Sequence, residues 1–191
     1  MSDNNRTIQS ALNEFFTQNN LGEDGGLNND WAYLDMKWFR IPFPNTEARK
    51  KALVYHDVHH LATGYQSTWQ GEAEVGAWEI STGCGPYNAA LFLDSGAMAV
   101  GLIFYPVKTF RAFIRGQRTR NLYLNTYTRE QLMPMRIAEV QQLLGLNKEY
   151  TTPVKAKEIL HFIGWVLVAA LWYVPVLVVL LLLGAWYMGY L

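Results

Sequence analysis

Apolar side chains fall at helical spacing through most of this chain, and near its end they crowd out every charge. Residues 6–18 place Ile8, Leu12, Phe15 and Phe16 on one helix face. The next stretch, NNLGEDGGLNND, is rich in Gly, Asn and Asp and predicts a loop. Pro42 and Pro44 interrupt an aromatic run of Trp38, Phe39 and Phe43. Asn45 or Thr46 can then cap a helix through EARKKALVYHDVHHLAT, with Gly64 as its left-handed stop. A second helix is expected from Ser67 to about Ile80, since Ser67 and Gln70 form an S-x-x-Q capping pattern. SGAMAVGLIFYPV is too short for a membrane span and suits a buried helix or cavity wall. Residues 128–146 predict one or two amphipathic helices, interrupted at Pro134 and closed by Gly145. Strand-like alternation is scarce, so the predicted class is all-α.

From Phe162 to Leu191 no charged residue occurs. A helix needs roughly 20 apolar residues to cross the ~30 Å hydrocarbon core, and this segment exceeds that. Trp165 lies near one end, and Trp186, Tyr187 and Tyr190 near the other, as aromatic belts require. Lys155 and Lys157 precede the segment with no basic residue after it, so the positive-inside rule keeps the long N-terminal part in the cytoplasm. Pro175 predicts a kink in a single span, with a re-entrant hairpin as the alternative. The opening MSDNNRTIQS has no apolar region of a secretory signal. The expected organisation is an N-terminal extension of helix and polar loop over 1–44, a helical metal-binding domain over 45–150, a linker over 151–158 and a transmembrane anchor over 159–191. The expected location is a membrane of the bacterial inner type, with a single-pass C-terminal anchor.

Composition narrows the partners. Lys and Arg total 16 and so do Asp and Glu, which gives no electrostatic reason to expect nucleic acid. The single cysteine, Cys84, excludes an intramolecular disulfide and a cysteine zinc cluster. Gly83-Cys84-Gly85-Pro86 reads as a turn. Aromatic residues make up 14% of the chain, a composition suited to an apolar cavity or a membrane interface.

Three of the four histidines sit in Tyr55-His56-Asp57-Val58-His59-His60. On a helix His56 and His60 are neighbours one turn apart, and Asp57 is three residues before His60. Two imidazoles and a carboxylate are the donors that zinc or a similar divalent ion takes. The open alternative is a solvated helix face with His–Asp hydrogen bonds. Glu72 could join only if the chain turns after His60, because in one continuous helix the two would be ~18 Å apart. A turn at Thr63–Gln66 would bring it back.

H-D-x-x-H is also close to the zincin H-E-x-x-H, but Asp shortens the general base by a methylene and weakens a peptidase reading. As for Asp57, the residues alone leave three roles open: direct ligand, orienter of an imidazole, or proton carrier. An HD-type phosphohydrolase needs a histidine before His56, and a ferritin-like di-iron site needs repeated Glu-x-x-His. Neither occurs in this sequence.

His56, Asp57 and His60, followed by eleven residues and Glu72, resemble the H-D-x-x-H-x(11)-E signature of the coenzyme Q biosynthesis protein 4 family. His60-Leu61-Ala62-Thr63-Gly64-Tyr65 is similar to that family's H-V-L-T-G-Y, and Gly71-Glu72 to its G-E. Weaker similarity runs through Arg115–Arg118 to residues 140–146, where Gln141 replaces an Arg. The resemblance covers roughly residues 45–146. It implies an all-helical fold, a zinc-type site on His56, Asp57, His60 and Glu72, and an apolar cavity for a prenylated lipid. It further implies a role in ubiquinone biosynthesis, linked to oxidative decarboxylation of the ring precursor and to organising other pathway enzymes. An integral C-terminal anchor departs from the family, whose members are usually peripheral membrane proteins.

The sequence-based expectation is therefore a membrane-anchored protein with Zn2+ or another divalent metal, acting on a prenylated quinone precursor or similar lipid. Its rival is a lipid-binding scaffold that gathers biosynthetic enzymes, in which the metal is structural. A homo-oligomer is compatible with either. Arg111, Arg115, Arg118 and Arg120 cluster around Gly116. They could meet a lipid phosphate or carboxylate, meet anionic headgroups, or form a plain solvated face. Arg115 and Arg118 are the candidate substrate contacts. His59 is expected to be exposed or to stand behind the ligands, and Glu74 and Glu79 lack the family spacing.

Overall fold

The computed structural model describes residues 5–35, 40–124, 127–148 and 151–187. Trp38 and Phe39, read above as part of an aromatic run, and Tyr190, read as part of a belt, lie outside them. The fold is all-α, with one small hairpin. Helix α1 (Ile8–Gln18) is capped by Thr7, whose hydroxyl accepts from the Ser10 N–H at 3.3 Å. Strands β1 (Trp31–Asp35) and β2 (Arg40–Pro44) pair antiparallel, Trp31 opposite Pro44 and Asp35 opposite Arg40. Pro42 and Pro44 thus lie in a mostly exposed strand of a two-stranded hairpin, a setting that tolerates Pro because its outer edge needs no N–H.

Helix α2 (Glu47–Thr63) starts from Thr46, which accepts from the Arg49 N–H, and ends at Gly64 with φ 79°. Helix α3 (Trp69–Thr82) is capped by Thr68, not by Ser67 as the capping pattern suggests. Ser67 is released for another task, described below. Next come α4 (Asn88–Phe104) and α5 (Pro106–Gly116), joined at Tyr105, whose N–H still donates to Gly101. Pro106 opens α5 because the first helical position needs no N–H. Short helices α6 (Arg129–Leu132) and α7 (Ile137–Leu144) follow.

Helix α3 is the centre of the body. Val75, Ala77 and Trp78 are fully enclosed, and α3 packs along α4 and α5. The N-terminal segment belongs to the same core: Ile8, Ala11, Leu12 and Phe16 are buried, and the Ile8 N–H donates to the Met135 carbonyl at 2.8 Å.

Helix α8 (Ala156–Ala170), a tight turn at Leu171–Tyr173 and α9 (Val174–Tyr187) form one 32-residue helix long and apolar enough to cross a membrane. It begins three residues before the expected anchor. Pro175 does not reverse the chain. Its ring conflicts with the carbonyl four residues back, at Leu171, and the 3-10 turn begins there.

Candidate metal centre

His56 and His60 project from one face of α2, with ring centroids 4.8 Å apart and planes at 86°. The partners on their inner nitrogens fix their tautomers. His60 Nδ1 donates to the Tyr65 carbonyl at 2.8 Å, which only an N–H can do. His56 Nδ1 faces both oxygens of Glu79 at 3.1 Å, and a carboxylate there accepts. In the neutral form each Nε2 is then left with a lone pair, and the two Nε2 atoms face each other at 3.2 Å. Phe15 from α1 stacks on His60 at 5.6 Å and shields it.

The turn between α2 and α3 supplies a third donor. Gly71 lies so close to Gln66 that a Cβ would collide with its carbonyl, which is why the chain can fold back this tightly. Glu72 follows at once. Its Oε2 lies 3.4 Å from His56 Nε2 and its Oε1 lies 3.4 Å from His60 Nε2. Ser67 donates its hydroxyl to Glu72 Oε1 at 3.1 Å and holds the carboxylate in place. Burial pushes the Glu72 carboxyl up, but the imidazoles of His60 and His56 outweigh it and hold Glu72 well below the usual carboxylate range.

With both imidazoles neutral, three electron-pair donors converge. Tetrahedral zinc bonds of ~2.0–2.2 Å place neighbouring ligand atoms about 3.3–3.6 Å apart. The two Nε2 atoms stand 3.2 Å apart, the two Glu72 oxygens lie 3.4 Å from a different one each, and one ligand atom from each residue lies within 4.8 Å of the others, close enough to share one ion. Two imidazoles and one carboxylate would leave a fourth position for water or substrate. Glu72 is partly exposed, so the set is reached from outside.

Behind His56 lies a second cluster, wholly enclosed. Glu79 has no exposed surface and accepts from three directions: His56 Nδ1, His59 Nδ1 at 2.5 Å and the Tyr123 hydroxyl at 3.1 Å. His59 Nε2 in turn accepts from the Leu122 N–H at 2.9 Å, so this imidazole is neutral and fully used. Burial pushes the Glu79 carboxyl up, and His56 and His59 outweigh burial to hold it well below its ordinary value. Asp94 on α4 behaves oppositely. Burial first and then the charge of Glu79 drive it well above its ordinary value, so it stays protonated and gives Glu79 a further donor. Gly76 admits Asp94 to this depth: a Cβ there would stand only 3.1 Å from the Asp94 carbonyl. Burial pulls the His56 imidazole down, but Glu79 and Glu72 on its two sides raise it well above its ordinary value, so a cation at Nε2 competes there with a proton. His56, Glu79 and Asp94 also form a compact group within 4.8 Å, yet donors and acceptors there already match. That group is a hydrogen-bond network.

The structure brings His56, His60 and Glu72 together but not Asp57. Asp57 is one residue round the helix from His56, and ~100° of rotation turns it to the flank. There it is buried against Gly25 of the long loop, and burial raises its carboxyl to about 7. His59 stands behind the ligands and has no exposed surface. Arg115 donates to the Thr63 carbonyl at 2.9 Å and lies over the Tyr65 ring, steadying the turn that holds His60. Arg118 grips both oxygens of Glu158 at 2.8 Å and the Thr152 and Pro153 carbonyls, fastening α5 to the start of α8. Neither guanidinium reaches the three ligands; both are committed to tertiary contacts.

Glu79, Asp94 and Tyr123 are missed by reading motifs. Two signals were available. Glu79 lies two helical turns after Glu72, on the same face, and Asp94 is the one charge in an otherwise apolar helix. Hollows of about 510 and 630 Å³ open beside the start of α8 and beside α1; Arg118 lines the first, and His56, His60 and Glu72 line neither. No family model, no curated protein and no solved structure matches the chain.

Proposed function

We propose that this chain is a metal-dependent, membrane-anchored protein of the ubiquinone-biosynthesis type, acting on a prenylated quinone precursor or similar lipid. The observation that carries the reading is the meeting of two imidazole Nε2 atoms and the Glu72 carboxylate at 3.2–3.4 Å. The H-D-x-x-H-x(11)-E resemblance supports the substrate class, and the apolar 32-residue helix supports the location.

In this reading His56, His60 and Glu72 hold a divalent cation of the zinc type. Such an ion supplies Lewis-acid polarisation of a carboxylate or carbonyl oxygen. Glu79 and the Tyr65 carbonyl keep both imidazoles in the ligating tautomer, and Ser67 orients Glu72. Phe15 excludes water from one side of His60. Lys155 and Lys157 at the mouth of the span support a cytoplasmic helical body in this reading.

Elemental analysis of purified full-length protein, with extraction and mass spectrometry of co-purifying lipid, tests both halves. The expected result is about one divalent ion per chain, as a single mononuclear site requires, together with an isoprenoid lipid. Absence of stoichiometric metal overturns the site. A His56→Ala protein that loses its metal yet fully restores quinone synthesis in a deletion strain removes metal catalysis and leaves a scaffold.

A further inference from the structure

The apolar helix does not leave the body at its first residue. It lies against α4 and α5 for more than half its length. Glu158 meets Arg118, Phe162 meets Phe110 at 5.0 Å, the Tyr173 hydroxyl donates to the Ala99 carbonyl, and Trp172 packs on Phe92 at 4.6 Å. Trp172 also donates to Ser95 at 2.9 Å. The inner face of α8, with Phe162, Trp165 and Val166, is packed on the core, while its outer face shows Leu160, Ile163, Leu167 and Leu171.

The adjoining surface has the same character. Phe92 is 61% exposed, Ile103 58%, Phe104 68% and Val107 59%. These four lie on α4 and at the start of α5, alongside the packed length of α8. Lys108 and Arg111, both exposed, follow directly on the side away from α9. Trp165 and Trp186 are 21 residues apart, about 32 Å along a helix, which matches the ~30 Å hydrocarbon core. A slab bounded by those two rings contains Trp172 and Tyr173, the two residues whose side chains meet α4.

We propose that α4 and the start of α5 are themselves immersed in the bilayer, so that the outer face of Phe92, Ile103, Phe104 and Val107 is covered by lipid acyl chains. The inference rests on reading Ala156–Tyr187 as a membrane span. Lys108 and Arg111 then sit at headgroup level, where basic side chains meet anionic lipid. The body is sunk into one leaflet, not tethered above it. Asp94 points inward from the same helix that turns Phe92 outward, so one helix separates the buried carboxylate network from lipid. A prenylated substrate would reach the ion sideways from the membrane.

Spin labels on the full chain in phosphatidylcholine–phosphatidylglycerol vesicles test this. Single cysteines replace Leu180, Phe92, Phe104, Arg111 and Lys51, in a Cys84→Ala background. Collision with oxygen and with a water-soluble nickel chelate reports depth. The expected order runs from lipid to water as Leu180 and Phe92, then Phe104, then Arg111, with Lys51 fully in water. If Phe92 and Phe104 match Lys51 while Leu180 is in lipid, the span stands and the immersion is overturned. If Leu180 is also in water, the span reading itself fails. Labels at Phe92 and Phe104 shielded from both reagents would mean that a second copy covers the face, which also overturns the proposal. Cross-linking of the unmodified chain to a photoactivatable acyl lipid removes dependence on the variants: adducts are expected on α4 as well as α9, and adducts confined to α8 and α9 refute immersion.

Discussion

His56 divides two clusters of imidazoles and carboxylates that look alike in composition and differ in their hydrogen accounting. On its Nε2 side, His60 and Glu72 present only acceptors, apart from the Ser67 hydroxyl that steadies Glu72. On its Nδ1 side, Glu79 faces donors from His56, His59 and Tyr123, with protonated Asp94 beside it. The outer cluster is partly open and unbalanced, which suits a cation. The inner one is sealed and balanced, which suits a support. The same residue types thus do opposite work, and the count of hydrogens separates them better than the count of carboxylates.

The largest test of this contrast is Glu79→Ala. It leaves three buried donors facing nothing, and loss of one partner from a buried charged network costs about 3–5 kcal/mol. Denaturant unfolding of the detergent-solubilised chain measures it; a loss near 1 kcal/mol, the scale of exposed pairs, would show the inner cluster to be dispensable. His60→Ala strikes the outer cluster instead. Metal content is expected to fall to background while the helical circular dichroism persists, and retained stoichiometric metal would place the ion elsewhere.

A gentler probe is Ser67→Ala, which frees Glu72 without removing it. Loss of such an orienting contact weakens metal affinity by ~10-fold or more, read by competition with a chelating dye; unchanged affinity would make Ser67 incidental. The smallest effect is expected from Asp57→Asn. Metal content should be unchanged, since Asp57 faces Gly25 and not the three ligands. A loss of metal on this change would restore the four-ligand set that the motif implies and break the comparison.

The helices were legible because their signals are local. Thr46 and Gly64 bound α2 through capping chemistry that acts within a few residues. His56 and His60 share a face by helical period alone, and the turn that returns Glu72 is written in Gly64 and Gly71. Ser67 was visible but its role was not: its hydroxyl could serve the helix or Glu72, and Thr68 took the cap. Arg115 and Arg118 form a cluster in sequence, but whether a guanidinium meets solvent or a carbonyl depends on segments 34–52 residues away.

The sequence by itself determined the all-α class, the apolar helix near the C-terminus and the pairing of His56 with His60, because period and composition act over one element. Only the tertiary structure decided that Glu79 and His59 stand behind the ligands, that Asp57 turns aside, and that α8 lies along α4. Those outcomes depend on which faces meet when helices pack. A carboxylate becomes a ligand or a support according to the donors that other helices bring to it.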